Sequence, residues 1–228
     1  MQSFSVGPFA LWRSLCVSRG LIFELVKKEI KSKYKASFMG VGWAFMHPLI
    51  MLAVYTFVFS VVFKARWGQG EGSKTEFALV LFAGIIVFNF FSECVSRAPG
   101  LIVSNPSYVK KVVFPIEILS VVDVGVAIFH AMISVVVWLM AYVLFFGTPH
   151  LTALLLPVVF LPLILFSLGL SWAVAALGVY IRDLSQMIGL VVTVAMFMSP
   201  VFYPASALPE DVRSYLFLNP VTIFVENF

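Results

Sequence analysis

Glu93 and Arg97 stand four residues apart and Asp123 and His130 seven apart, so each pair shares one face of a helix. The first pair suits an ion pair. The second supports two readings: a proton relay between a carboxylate and an imidazole, or a histidine that simply hydrogen-bonds a neighbouring helix. Lysines crowd residues 27 to 35, and Lys33 and Lys35 together with Arg97 supply the positive charge that a phosphate-bearing lipid headgroup would seek. The plainer reading of those lysines is topology anchoring. Two further polar clusters, Lys110-Lys111 and Arg182-Asp183, interrupt otherwise apolar sequence. Aromatic rings at Tyr55, Phe59, Phe88, Phe91 and Phe197 offer faces on which sugar rings stack, or they face lipid and other helices. The sequence has no Gly-x-x-x-x-Gly-Lys phosphate loop and no Cys/His cluster at metal-ligand spacing. The expected reading is a non-enzymatic chain with no cofactor of its own; if energy is used, another chain supplies it.

The elements that must position these residues follow from composition. Hydrophobic residues make up 61% of the 228-residue chain and charged ones only 11%, with a mean hydropathy of +1.04. A soluble domain carries about 25% charged residues, so the expected fold class is an all-α integral membrane bundle. A crossing takes roughly 20 apolar helical residues. Charge-free runs at 36 to 63, 77 to 92, 124 to 181 and 184 to 209 supply them. The third run is too long for one helix, and "FGTPHL" at 146 to 151 divides it by Gly/Pro turn chemistry. Five spans are predicted. The second must continue past Glu93 toward Ser96, and Val124 to Phe145, about 33 Å of helix, leaves Asp123 at a membrane boundary. Helices are required because a backbone in lipid must satisfy its own hydrogen bonds.

With the N-terminus inside, eleven Lys and Arg fall on inner segments and four on outer ones, which predicts a cytoplasmic N-terminus. Cys16 and Cys94 then lie on the reducing side, as packing residues and not as a disulfide. Residues 9 to 35 carry interfacial-helix patterning, with Glu24/Lys28 and Glu29/Lys33 spaced to pair along one helix. The segments around 98 to 115 and 180 to 187 are short polar connections on the same side. Either they are tight charged turns, or they are levers through which a soluble partner moves the spans. Ser167, Ser171 and Ala175 form a small-residue stripe for close helix packing.

Several stretches then become familiar. "SKYKASFMGVGWAFMHPL" (32 to 49), "LFAGIIVFNFFSE", "NPSYVKKVVFPIEIL", "GVYIRDLSQ", "SPVFYP" and "LNPVTIFVENF" follow one another as in the permeases of type 2 ATP-binding cassette polysaccharide exporters, and the chain resembles that family over nearly its whole length. The resemblance implies one permease domain over 1–228 that homodimerises and joins two separate ATPase subunits, which hold the ATP and magnesium. It implies an interface helix within 9–35, coupling segments at 104–115 and 180–186, and an outer re-entrant segment at 204–228. Asn105, Tyr108, Lys110, Lys111, Tyr180, Arg182 and Asp183 become the residues expected to meet the ATPase. It also implies a sixth span beyond "NPVTIFVE", a lipid-linked polysaccharide such as O-antigen, capsule or teichoic acid as substrate, membrane lipids as surroundings, no nucleic acid, and the bacterial cytoplasmic membrane as location. A membrane enzyme acting on lipid-linked sugars and a secondary transporter are the competing readings. The first lacks acidic or His-rich loops beyond "LPEDVR", and the second lacks internal repeats with broken helices.

Overall fold

A computed structural model describes residues 7–35, 37–58, 74–109, 114–148, 153, 155–203, 216 and 219–226. Among them there are helices and no strands: α1 (Pro8–Val17), α2 (Arg19–Tyr34), α3 (Gly42–Phe57), α4 (Lys74–Arg97), a 3-10 turn (Ala98–Gly100), α5 (Pro106–Val109), α6 (Ile118–Phe146), α7 (Leu156–Gly178), α8 (Leu184–Phe197) and α9 (Pro220–Glu226). Three stretches are long and apolar enough to cross a membrane, Glu76–Gly100, Ile118–Phe146 and Leu156–Gly178; Gly42–Phe57 and Leu184–Phe197 are shorter apolar helices. The chain is thus a helical membrane protein.

The divider expected near 146 is present. α6 ends at Gly147, whose φ of +84° only a residue without a Cβ adopts easily. α6 is 29 residues long, about 43 Å at 1.5 Å per residue. That exceeds the roughly 30 Å hydrocarbon core, so an end of the helix can hold polar groups without placing them at mid-membrane.

α4 is the central rod. Phe77, Leu81, Ile85, Phe88, Phe91 and Cys94 on it join Val124, Ala127, Leu163, Val192 and Val221 in one buried apolar cluster. The indole N–H of Trp138 on α6 donates to the Leu79 carbonyl of α4 (2.9 Å), and that of Trp172 on α7 to the Glu117 carbonyl before α6 (3.0 Å). Each half-buried indole thereby places its one donor across a helix boundary.

The small-residue stripe packs as expected. Ser167 and Ser171 are fully buried and Ala175 nearly so, and the stripe continues to Gly178, where an added Cβ would collide with the carbonyl of Pro99. Backbone therefore touches backbone between α7 and the 3-10 turn. Farther along, Asn219 accepts from the Val221 amide as a helix-capping residue does. Its carboxamide also donates to the Ala195 carbonyl and to Ser199 Oγ, 2.8 Å each, which ties α9 to the end of α8.

Candidate functional site

Seven polar side chains from three helices meet where α2 lies across the Arg97 end of α4 and the Asp123 end of α6. Lys33 Nζ is 3.2 Å from Glu93 Oε1, Arg97 Nη2 is 3.2 Å from Glu29 Oε1, and Arg97 Nη1 is 2.8 Å from Asp123 Oδ1. His130 Nδ1 lies 2.9 Å from both Glu93 oxygens, and its Nε2 is 3.1 Å from the Tyr34 hydroxyl. An ionised carboxylate only accepts, so Nδ1 carries the proton, and in the neutral ring Nε2 accepts from Tyr34. Burial, followed by the charge of Glu93, raises the Tyr34 phenol above its ordinary pKa. It remains a donor at neutral pH.

The sequence suggested other partners. Glu93 does not pair with Arg97 on its own helix, nor Glu29 with Lys33; each reaches across to another helix instead. His130 pairs with Glu93 and not with Asp123, so the relay reading gives way to that of a histidine satisfied by its neighbours. Asp123 does not merely sit at a water boundary: its side chain is 1% exposed and faces Arg97. That contact is close but off hydrogen-bond alignment, since neither Asp123 oxygen has a hydrogen-bond partner among the described residues, and it acts as a charge pair.

The pairing has a register. On α2 an acid (Glu29) precedes a base (Lys33) by four residues, and on α4 an acid (Glu93) precedes a base (Arg97) by four. Antiparallel alignment matches unlike charges at both rungs. A slip of one turn would set Glu29 against Glu93 or Lys33 against Arg97, so the ladder admits only one register. Partly exposed pairs of this kind contribute about 0.2–1 kcal/mol each, and their value here is discrimination. Lys33→Glu and Glu93→Lys are each expected to cost about 1 kcal/mol, roughly 2–4 °C in melting midpoint. The double swap should regain most of the loss. Equal melting of all four proteins would dismiss the register.

α2 is also fastened below the ladder. Lys28 Nζ donates to the Tyr108 hydroxyl (3.1 Å) and sits 5.7 Å above its ring, and that hydrogen bond raises the Lys28 pKa. α1 is held too, where Ser14 Oγ donates to Glu117 Oε1 at 2.7 Å. A cavity of about 490 Å³ lies on the Lys33-Glu93-His130 side of the ladder. A second, about 520 Å³, lies on the Glu29-Arg97-Asp123 side, against Asn105 and Tyr108.

The two segments flanking this end share a joint. Ala98 of the 3-10 turn packs with Val174 of α7 and Leu184 of α8 in a small buried cluster. The chain before α5 and the chain after α7 therefore meet at one point. Asn105 is half-buried and donates to the Leu101 carbonyl (2.9 Å); Tyr108 is half-buried beside Phe114, ring centroids 4.9 Å apart. Tyr180, Arg182 and Asp183 are exposed. Lys110 and Lys111 lie outside the described residues, as do Phe59 and most of 204–228.

Of the three cations expected to meet a headgroup, Lys33 and Arg97 already have acidic partners, and only exposed Lys35 has none among the described residues. Of the aromatics, Phe88 and Phe91 are buried in the apolar cluster, Phe91 stacked on Phe166 (6.1 Å, 17°). Tyr55 is half-buried against that cluster, and Phe197 is 63% exposed. Sequence reasoning missed the Lys28–Tyr108 link and the Gly178 contact. The first left no periodic signal, and the second only the trace of a small-residue stripe running on to 178.

The fold and site define an integral membrane helical protein whose short polar segments gather at one charge-paired end. Residues 20–228 match the ABC-2 type transporter family, and the chain belongs to it. It is similar to the O-antigen export system permease protein RfbA of Myxococcus xanthus, 30% identical over 96% of this chain and 82% of that one. RfbA of Klebsiella pneumoniae is 23% identical over 90% of this chain and 79% of its own. The capsule polysaccharide export inner-membrane protein CtrC of Neisseria meningitidis serogroup B is 25% identical over 96% and 81%.

Proposed function

We propose that the chain is the transmembrane subunit of an ATP-driven exporter that moves a lipid-linked polysaccharide across the bacterial cytoplasmic membrane. It works as a homodimer with separate ATPase subunits, on which ATP and magnesium bind, and it has five spans over these residues and a cytoplasmic N-terminus. The relatives are named for O-antigen and capsule export, which supports the substrate class. The observation that carries the mechanism is the joint between the two polar segments. Because Ala98, Val174 and Leu184 pack together and the Pro99 carbonyl abuts Gly178, a push on either segment reaches α4, α7 and α8 at once.

In this reading Asn105, Tyr108, Lys110 and Lys111 on one segment, and Tyr180, Arg182 and Asp183 on the other, face the ATPase. Movement passes through Lys28–Tyr108 to α2, and the ladder carries it to α4 and α6. Of Lys33, Lys35 and Arg97, Lys35 is the one without an acidic partner among the described residues, and it is the cation offered to the carrier's phosphate. Phe59 and Phe197, with Tyr55, remain candidates for the polymer path, and residues 204–228 for its outer mouth.

The test is co-purification with candidate ATPases, followed by Arg182→Glu and Asp183→Lys in the assembled transporter. Hydrolysis is expected to persist while polymer export drops at least tenfold. Export that continues without any ATPase, or that ignores both substitutions, would defeat the reading.

A further inference from the structure

The cavity beside Lys33, Glu93 and His130 is walled by Trp43 and lined by His47, Asn89 and Ser92. None of those three polar side chains has a hydrogen-bond partner among the described residues. Asn89 lies eight residues before Arg97, about 12 Å along α4 and inside the stretch Glu76–Gly100 that is long enough to span. Asn89 and His47 are exposed and Ser92 is half-buried, so their hydrogen-bonding groups are open to a polar occupant. The cavity's volume, about 490 Å³, falls among small-molecule sites of about 300–1,000 Å³.

Charge and chemistry narrow the class. Glu93 offsets Lys33 at 3.2 Å, so the wall holds no surplus cation for a phosphate. What faces the space instead is a carboxamide, an imidazole and a hydroxyl, each able both to donate and to accept, beside the 44% exposed indole of Trp43. A flat apolar wall with uncharged two-way hydrogen bonders fits a hydroxyl-rich ring. We propose that this chamber, built within a single protomer from α2, α3, α4 and α6, binds a neutral sugar ring of the exported chain. The inference rests on the polysaccharide reading above and adds to it where a sugar unit is held and by which residues.

The test uses the permease–ATPase complex in nanodiscs, titrated with a panel of methyl hexosides and, separately, with inorganic pyrophosphate. Saturation-transfer NMR and tryptophan fluorescence are the readouts. At least one hexoside is expected to bind in the millimolar range, with affinity at least tenfold weaker in Asn89→Leu and in His47→Phe. The fluorescence change should vanish in Trp43→Leu, while pyrophosphate produces no response at these residues. Monodisperse elution qualifies each variant, and His47→Phe serves if Asn89→Leu fails to fold. Binding of pyrophosphate in place of hexosides would reassign the chamber to an anion, and binding of neither would leave it to water. Hexoside binding unchanged in every variant would move the sugar elsewhere; each of these three results overturns the proposal. A complex that binds no hexoside yet exports polysaccharide in cells defeats this inference and spares the permease reading, whereas hexoside binding without polysaccharide export does the reverse.

Discussion

Arg97→Met should lower the melting midpoint of the purified protein by roughly 6–20 °C, the effect of about 3–5 kcal/mol lost when a buried charge is stripped of its partner. The Asp123 side chain is 1% exposed, and the Arg97 guanidinium is its nearest cation at 2.8 Å. Methionine keeps the volume and removes the charge, leaving a carboxylate with no hydrogen-bond partner among the described residues. Asp123→Asn alone should be far milder, because Arg97 retains Glu29 at 3.2 Å. The double substitution Arg97→Met with Asp123→Asn should therefore recover most of the loss. This non-additivity separates a charge pair from packing: a merely structural arginine would leave the double variant at least as unstable as the single. A drop below about 2 °C in Arg97→Met, under 1 kcal/mol for a chain of this size, would show that the pair contributes nothing.

Gly178→Ala is the second large effect, and its sign is the informative part. In an open helix, alanine for glycine stabilises by about 0.5–1 kcal/mol. At Gly178 the new methyl meets the Pro99 carbonyl, and a backbone atom cannot rotate away as a side chain can. Overpacking of this kind costs about 1–3 kcal/mol, and Gly178→Val should be worse. Gly169 on α7 and Gly189 on α8 are the controls, since an added Cβ meets nothing within 4 Å at either. Alanine there should leave the melting midpoint unchanged or raise it. If Gly178→Ala behaved as the controls do, the contact between the two polar segments would not exist in solution. Export assays on the same variants add a second readout, because a forced separation at that joint should uncouple ATP hydrolysis from export more than it lowers the amount of protein.

Three of the predicted spans were legible because lipid imposes one requirement over a long window: charge-free sequence reports it directly, and Glu76–Gly100, Ile118–Phe146 and Leu156–Gly178 overlap those runs, while Gly42–Phe57 and Leu184–Phe197 in the other runs are shorter apolar helices. The turn at Gly147 was legible for a local reason, the backbone conformation that glycine alone takes freely. The small-residue stripe was legible as a period of four. Ion-pair partners were not. A four-residue spacing brings Glu93 and Arg97 to one face whether they then bind each other or two other helices, so the pattern cannot choose. Helix packing chose, because α2 supplies a complementary pair and α6 a buried Asp123 that only a neighbouring helix can neutralise. The chamber was illegible for the same reason: His47, Asn89 and His130 are scattered along three helices and converge only in space.

The long reach of these contacts bears on how the protein is made. Ser14 finds its partner 103 residues downstream, Tyr34 96, and Lys33 60. A ribosome therefore releases α1 and α2 well before anything exists for them to grip. The Lys33–Glu93 and Glu29–Arg97 pairs can close once α4 emerges, whereas Ser14 and Tyr34 meet Glu117 and His130 only after the start of α6 has been made. The contacts of α1 and α2 are thus completed late in synthesis, and a chain in which α2 had not docked would leave Glu93 without Lys33 and Arg97 without Glu29.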